Sequence, residues 1–162
     1  FLAALQTYQG TALIGPRSNC KTPDFATPIP LPPNLPGLDA TIARVESLPP
    51  DVPVPLSQGG NFLHWREKLE GSALVIETAT DGWPAIVAAN NLHYLAGWPD
   101  EEAFARILID LCQTAGIETD PLPEGLRRRD TPTMRFLFNY NAIPVEWAGQ
   151  TIPPAGVWWQ PL

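Results

Sequence analysis

The sequence predicts an α/β fold followed by a small antiparallel β tail. Three observations predict it. At the amino end a helical face and a glycine stop lead directly into a short apolar strand, over Leu2 to Gly15. After Pro99-Asp100 comes a long apolar stripe of helical period. From Ile117 onward the chain changes to short β-type runs separated by turn residues. With 162 residues there is room for one ordinary domain plus an appendage, so residues 1–116 are read as the α/β part and 117–162 as the β part.

The elements follow in order. Leu2, Leu5 and Tyr8 share a helical face, Gly10 stops it, and Thr11 to Gly15 reads as a buried strand. The chain has no initiator methionine and enters an α/β unit in its middle, so it is expected to be part of a longer polypeptide. Ten of the twenty prolines fall between Pro23 and Pro55, which forbids helix and central strand there. Phe25, Ile29, Leu31, Leu35 and Leu38 make this stretch too apolar for a solvated tether, so an ordered loop lying across a surface is expected in preference to a linker. Ile42 to Leu48 is a strand candidate. The alternation through Phe62 to Leu69 predicts a strand with Leu63, Trp65 and Leu69 on one face. Leu74-Val75-Ile76 predicts a buried strand. Asn90-Asn91 between two apolar runs predicts a hairpin. Asp100 is the expected N-cap of a helix with Glu101 and Glu102 in its first turn. Phe104, Ile107, Leu108, Leu111, Cys112 and Ala115 form its stripe, and Gly116 ends it. In the tail, Met134–Tyr140 and Val145–Trp147 are expected to pair as a hairpin around residues 141–144, with Val157-Trp158-Trp159 as a further strand.

Composition excludes several classes of function. No apolar run approaches the roughly 18 residues of a membrane span. The net charge of −7 is poorly suited to a nucleic-acid backbone or an anionic membrane. Arg127-Arg128-Arg129 is a weak anion patch and reads better as a solvated strand edge. Cys20 and Cys112 show no ligand spacing. They read as two separate thiols of a reducing, cytoplasmic compartment, with a single disulfide as the alternative. His64 and His93 have no motif partners, so no metal site and no cofactor is expected. Gly59-Gly60 is no phosphate loop. The pairs Glu67/Glu70 and Glu101/Glu102 are not placed as catalytic carboxylates, so no catalytic residue is assigned.

One ordered set of motifs goes further. Leu92-His93-Tyr94-Leu95-Ala96-Gly97 is followed by Pro99-Asp100-Glu101 and its helix, by Leu122-Pro123-Glu124-Gly125-Leu126-Arg127-Arg128-Arg129, and by Arg135-Phe136-Leu137-Phe138-Asn139-Tyr140-Asn141. This order resembles the end of a β-galactosidase of glycoside hydrolase family 42, with its "YLG", helix, "LPEGV…RRR" and "FLLNH" segments. Gly15 to Phe25 is similar to that family's "GPRSGSKTEDF", and Gly82-Trp83-Pro84-Ala85 to its "G-x-P-A" hairpin. Asn90-Asn91 is tighter than the family's glycine-rich turn, and Cys20 stands where a glycine is common.

The resemblance implies a partial flavodoxin-like or amidotransferase-like three-layer domain, the later part of a trimerisation domain, followed by the C-terminal β domain. It implies a homo-oligomer, a trimer in the parent enzyme. Terminal β-D-galactosides would be hydrolysed with retention in a barrel this sequence does not contain, so substrate would be met only through that barrel. By analogy, the loop with Arg17, Lys21, Asp24 and Phe25 is the candidate substrate wall or subunit interface, an ordinary surface loop being the alternative. Two other readings compete. A carbohydrate-binding module would use exposed rings among Trp83, Trp98, Trp147, Trp158 and Trp159. A stand-alone amidotransferase-like enzyme would need Cys20 or Cys112 at a strand-to-helix turn near a histidine, a context the sequence lacks.

Overall fold

The computed structural model describes residues 1–162. The chain divides into two compact units, Phe1–Glu118 and Thr119–Leu162. The first unit holds α1 (Leu2–Thr7), β1 (Ala12–Ile14), β2 (Thr41–Ser47), β3 (Val54–Pro55), β4 (Asn61–Glu70), β5 (Leu74–Thr78), β6 (Pro84–Ala89), β7 (Leu92–Leu95), β8 (Gly97–Pro99) and α2 (Glu101–Thr114). The second holds β9 (Leu126–Asp130), β10 (Met134–Asn139), β11 (Val145–Trp147), β12 (Gln150–Ile152) and β13 (Val157–Pro161).

This overturns the expected three-layer α/β domain, flavodoxin-like or amidotransferase-like. Two helices stand against thirteen strands, and β1 with β7 is the only parallel pair. A three-layer domain needs helical crossovers between parallel strands. Between β1 and β7 the chain instead runs through a long proline-rich loop and then antiparallel strands. The helical signals at the two ends of the unit were real, but nothing helical lies between them.

One sheet of the first unit has the order β1-β7-β6-β5. Asn90 takes φ +54°, and Ala89 pairs with Leu92, giving the expected two-residue hairpin. Both faces of β6 and β7 are covered. Val87, Leu92, Tyr94 and Ala96 face one core with Leu35, Leu38, Ala40 and Leu69. Ile86 and Leu95 face another with Phe62, Ala103 and Ile107. Leu35 and Leu38 come from the proline-rich stretch, which is therefore docked along part of its length. Its other expected anchors stay outside: Phe25 is 81% and Ile29 94% exposed.

The second sheet has the order β2-β4-β3, with β8 also pairing β4. A bulge between Leu63 and Arg66, with His64 at φ +59°, breaks the predicted alternation of β4. Phe62 takes the core place at 1% exposure, while Leu63 and Trp65 are only half-buried. Beyond the bulge both faces of β4 are covered, so Arg66, Glu67 and Leu69 are all buried.

β5 reverses its expected burial. It is the terminal strand of its sheet, and Leu74, Val75 and Ile76 are exposed while Glu77 is buried. The inward place goes to Glu77 because Arg106 of α2 meets it, with Nη2 3.0 Å from both carboxylate oxygens. α2 begins as predicted: the Asp100 carboxylate accepts from the Ala103 N–H at 2.8 Å. Its buried residues are Ala103 and Ile107, while Phe104 and Leu108 of the predicted stripe are largely exposed.

In the second unit, β10 lies between β9 and β13, while β11 pairs with β12. The expected hairpin between β10 and β11 does not form. Buried Asn139 turns the chain there, its amide donating to the carbonyls of Ile143, Ile152 and Pro153 at 2.9, 3.1 and 3.0 Å. The arginine run is strand β9, and Leu126, Leu137 and Ile152 form the core.

Candidate functional site

The loop after β1, together with β2 and β4, lines an open cleft of about 400 Å³. Arg17, Cys20, Lys21, Leu31, Ile42, Arg44, Trp65 and Glu67 are among its lining residues. Glu67 anchors the wall. Its Oε1 accepts the Arg17 backbone N–H at 2.9 Å and its Oε2 accepts the Tyr94 hydroxyl at 2.6 Å. Burial, and then the hydrogen bond to this carboxylate, push the Tyr94 hydroxyl well above its usual pKa, so it stays a donor. Arg17 takes φ +64°, and its guanidinium lies 4.9 Å from the Trp65 ring centre. The loop is thus held by a buried carboxylate beneath and an aromatic face beside it.

Of the four candidates from the sequence, Arg17 and Lys21 line this cavity. Asp24 and Phe25 do not; both are exposed on the outer part of the loop. Sequence reasoning missed Trp65 and Tyr94, and it left Glu67 without a role. Their only signal was Glu67 on an otherwise apolar side of β4. Cys20 lies in the loop after β1, not at a strand-to-helix turn, and Cys112 lies within α2; both thiols are free. His64 is exposed on the bulge of β4 and His93 is half-buried on β7. No group of three or more His, Cys, Asp or Glu is arranged to hold a metal ion.

A second charged cluster lies on β2 and β4. Arg66 Nε meets Glu46 at 2.6 Å and its Nη1 meets Asp81 at 2.7 Å, while Lys68 Nζ lies 3.0 Å from Glu46. The Lys68 hydrogen bond, opposed by burial and aided by Arg66, holds the Glu46 carboxyl below its usual range. Lys68 also sits 5.1 Å from the Trp83 ring centre. All these charges are matched internally, so the cluster reads as a brace between strands. Among the tryptophans, Trp98 and Trp159 are 59% and 60% exposed, while Trp147 and Trp158 pack on the second unit's core.

The cavity offers cations, one thiol and apolar walls. Retaining glycoside cleavage needs two carboxyl groups about 5 Å apart. Glu67 is the only carboxylate in the lining, and both its oxygens already accept hydrogen bonds.

No family model matches the chain. Over 151 residues, 90% of its length, it is 39% identical to a β-galactosidase of Thermus thermophilus. The chain matches a segment of a β-galactosidase. It spans 23% of that relative's length. The crystal structure of a β-galactosidase from the psychrophilic Marinomonas ef1 superposes on 98% of the chain with a TM-score of 0.89 at 28% identity, and 26% of that structure is covered. Gan42B, a GH42 β-galactosidase, shares the fold over 93% of the chain with a TM-score of 0.68 at 13% identity, and 26% of it is covered. These likenesses bear out the β-galactosidase resemblance read from the order of the motifs. No helix is long and apolar enough to cross a membrane.

Proposed function

We propose that this chain is a non-catalytic oligomerisation and accessory part of a glycoside hydrolase family 42 β-galactosidase. The observation that carries the reading is the 39% identity over 151 residues to a β-galactosidase of which those residues make up less than a quarter. The ordered motifs and the shared fold with a GH42 enzyme support the family. In this reading the parent enzyme releases terminal β-D-galactosides with retention, and the carboxyl pair lies in a part of the polypeptide outside this chain. The first unit contributes to association of subunits, in a trimer, and Thr119–Leu162 is the C-terminal β domain. The loop carrying Arg17 and Lys21 faces a neighbouring subunit or its substrate. Two free thiols suit a reducing setting such as the cytoplasm.

The test has two arms. The purified chain is assayed with a chromogenic β-D-galactoside, and no hydrolysis is expected. The chain is then grafted in place of the matching segment of the Thermus thermophilus relative, where activity and subunit association are expected to survive. Hydrolysis by the chain alone, or a graft that folds but neither associates nor turns over substrate, overturns the reading.

The exposure of Trp98 and Trp159 supports a second reading, as a carbohydrate-binding module. Titration of galactosides against tryptophan fluorescence separates the two. Saturable quenching favours the module, and its absence favours the accessory role.

A further inference from the structure

The first unit has thirteen acidic and six basic residues. Three of the six cations are matched inside the fold: Arg106 by Glu77, Lys68 by Glu46, and Arg66 by Glu46 and Asp81. The other three, Arg17, Lys21 and Arg44, converge on the cleft lined by the loop after β1 and by β2 and β4. Arg17 and Lys21 form no ion pair. Arg44 reaches only Glu46, at 3.3 Å, and Glu46 already serves Arg66 and Lys68. Glu67 is the one carboxylate in the lining, and its oxygens are taken by the Arg17 N–H and the Tyr94 hydroxyl. Three cations against one carboxylate leave the wall positive, within a unit that is otherwise acidic.

The walls are set by contacts within this unit. Arg17 holds φ +64°, a strained backbone for a residue with a side chain, while its N–H is fixed on Glu67. Its guanidinium lies 4.9 Å from the Trp65 ring centre. The Asn19 amide donates to the Pro33 carbonyl at 2.9 Å, and the Ile42 N–H donates to the Pro32 carbonyl at 2.7 Å. The far end of the loop is thus tied both to its start and to β2. Between the cations the lining is apolar, with Leu31, Pro32, Ile42, Val45 and Trp65. A volume of about 400 Å³ suits a small molecule.

We propose that this cleft binds a small carboxylate with an apolar body, of the class of the aromatic acids. The carboxylate is held by Arg17, Lys21 and Arg44, and the ring lies against the apolar lining. A cleft of one sign with low-dielectric walls concentrates the opposite charge, and a guanidinium fork pairs with a carboxylate through two parallel bonds. A neutral ligand of the same shape gains only the apolar contacts, and a bare inorganic anion gains only the charge. What marks the site is the convergence of unmatched cations on walls that the unit itself fixes.

Cys20 lines the cleft and Cys112 lies on α2, so alkylation by iodoacetamide, read at each cysteine by peptide mass spectrometry, reports occupancy with its own control. The probes are benzoate, benzamide and inorganic phosphate at constant ionic strength. Benzoate is expected to slow alkylation of Cys20 and leave Cys112 unchanged, with half-protection near about 1 mM, ordinary for a ligand of this size. Benzamide and phosphate are expected to protect far less. Lys21→Glu with Arg44→Glu, both exposed positions, is expected to raise the half-protecting concentration about tenfold or more. Near-ultraviolet circular dichroism checks that this variant is folded. The same protection is expected in the graft into the Thermus thermophilus relative, where the rest of a parent polypeptide is present. Absent protection, equal protection by benzamide or by phosphate, or an unaffected double variant overturns the proposal. Protection in the isolated chain that disappears in the graft also overturns it, since the cleft is then filled by another part of the polypeptide. None of these outcomes touches the β-galactosidase reading, which this inference goes beyond.

Discussion

The Tyr94 hydroxyl donates to Glu67 Oε2 at 2.6 Å, and both side chains are buried. With the Arg17 N–H on Oε1, this bond ties three separate parts of the first unit together: β7, β4 and the loop after β1.

Tyr94→Phe keeps the ring and removes the donor. It leaves a buried carboxylate oxygen unpaired, at a cost of about 2 kcal/mol. Urea unfolding is expected to show a lower midpoint with an unchanged slope. Cys20, in the tethered loop, is expected to react faster with a neutral alkylating reagent. Unchanged stability and unchanged alkylation would sink this account of the tether.

Asp100→Ala removes the cap of α2 and is expected to cost about 1 kcal/mol at neutral pH. Burial works against the Asp100 charge, but the Ala103 N–H and the Asn61 amide outweigh it, so the carboxyl sits below its usual range. A lowered value means the stabilisation is complete above the ordinary aspartate pKa of about 3.9 and fades as pH falls through the folded value. The gap between wild type and variant is therefore expected to shrink below about pH 4. A gap that stays constant to pH 2.5 contradicts it.

Arg106→Ala leaves the Glu77 carboxylate, whose side chain is 1% exposed, without its cation and with only the Gln58 N–H on Oε1. The expected loss is about 3 kcal/mol, the low end for breaking a buried pair, because Arg106 is itself 22% exposed. Replacing both partners, Arg106→Met with Glu77→Leu, is expected to recover part of it, because the Gln58 N–H then loses its acceptor and the Gly59 carbonyl its donor. A double variant as unstable as the single would show that the pair does more than satisfy charge.

Asn139→Ala leaves three carbonyls of the second unit without their donor, and also removes the acceptor of the Asn141 N–H. A loss of about 2 kcal/mol is expected, read by near-ultraviolet signals of Trp147 and Trp158, which pack on that unit's core. Retention of those signals to the wild-type denaturant midpoint argues against it.

What could be read from the sequence was local. Asp100 with its two glutamates marked α2, and Asn90-Asn91 marked the hairpin, because caps and tight turns depend on neighbours in sequence. The errors came where partners are distant. Leu74-Val75-Ile76 looks the same at a sheet edge as in a core, and the partners that explain the reversal, Arg106 and the Gln58 N–H, lie 29 and 19 residues from Glu77. A bulge centred on a histidine at positive φ carries no composition signal. β10 pairs with β13 across the intervening β11–β12 hairpin, which hides its register. The cavity has the same character: Arg17 and Glu67 are 50 residues apart, so the loop residues could be named while the floor beneath them could not.

The outward-turned Leu74, Val75 and Ile76 on the terminal strand β5 also bear on handling. Ser57 and Gln58 already meet the Thr78 and Ile76 carbonyls, but the Leu74–Val75 part of this border, greasy and without lysine or proline, is a template on which other molecules can add rungs. Such growth runs through main-chain bonds and is indifferent to ionic strength. Turbidity that persists in concentrated salt would trace to this border, and a single lysine introduced at Val75 should clear it.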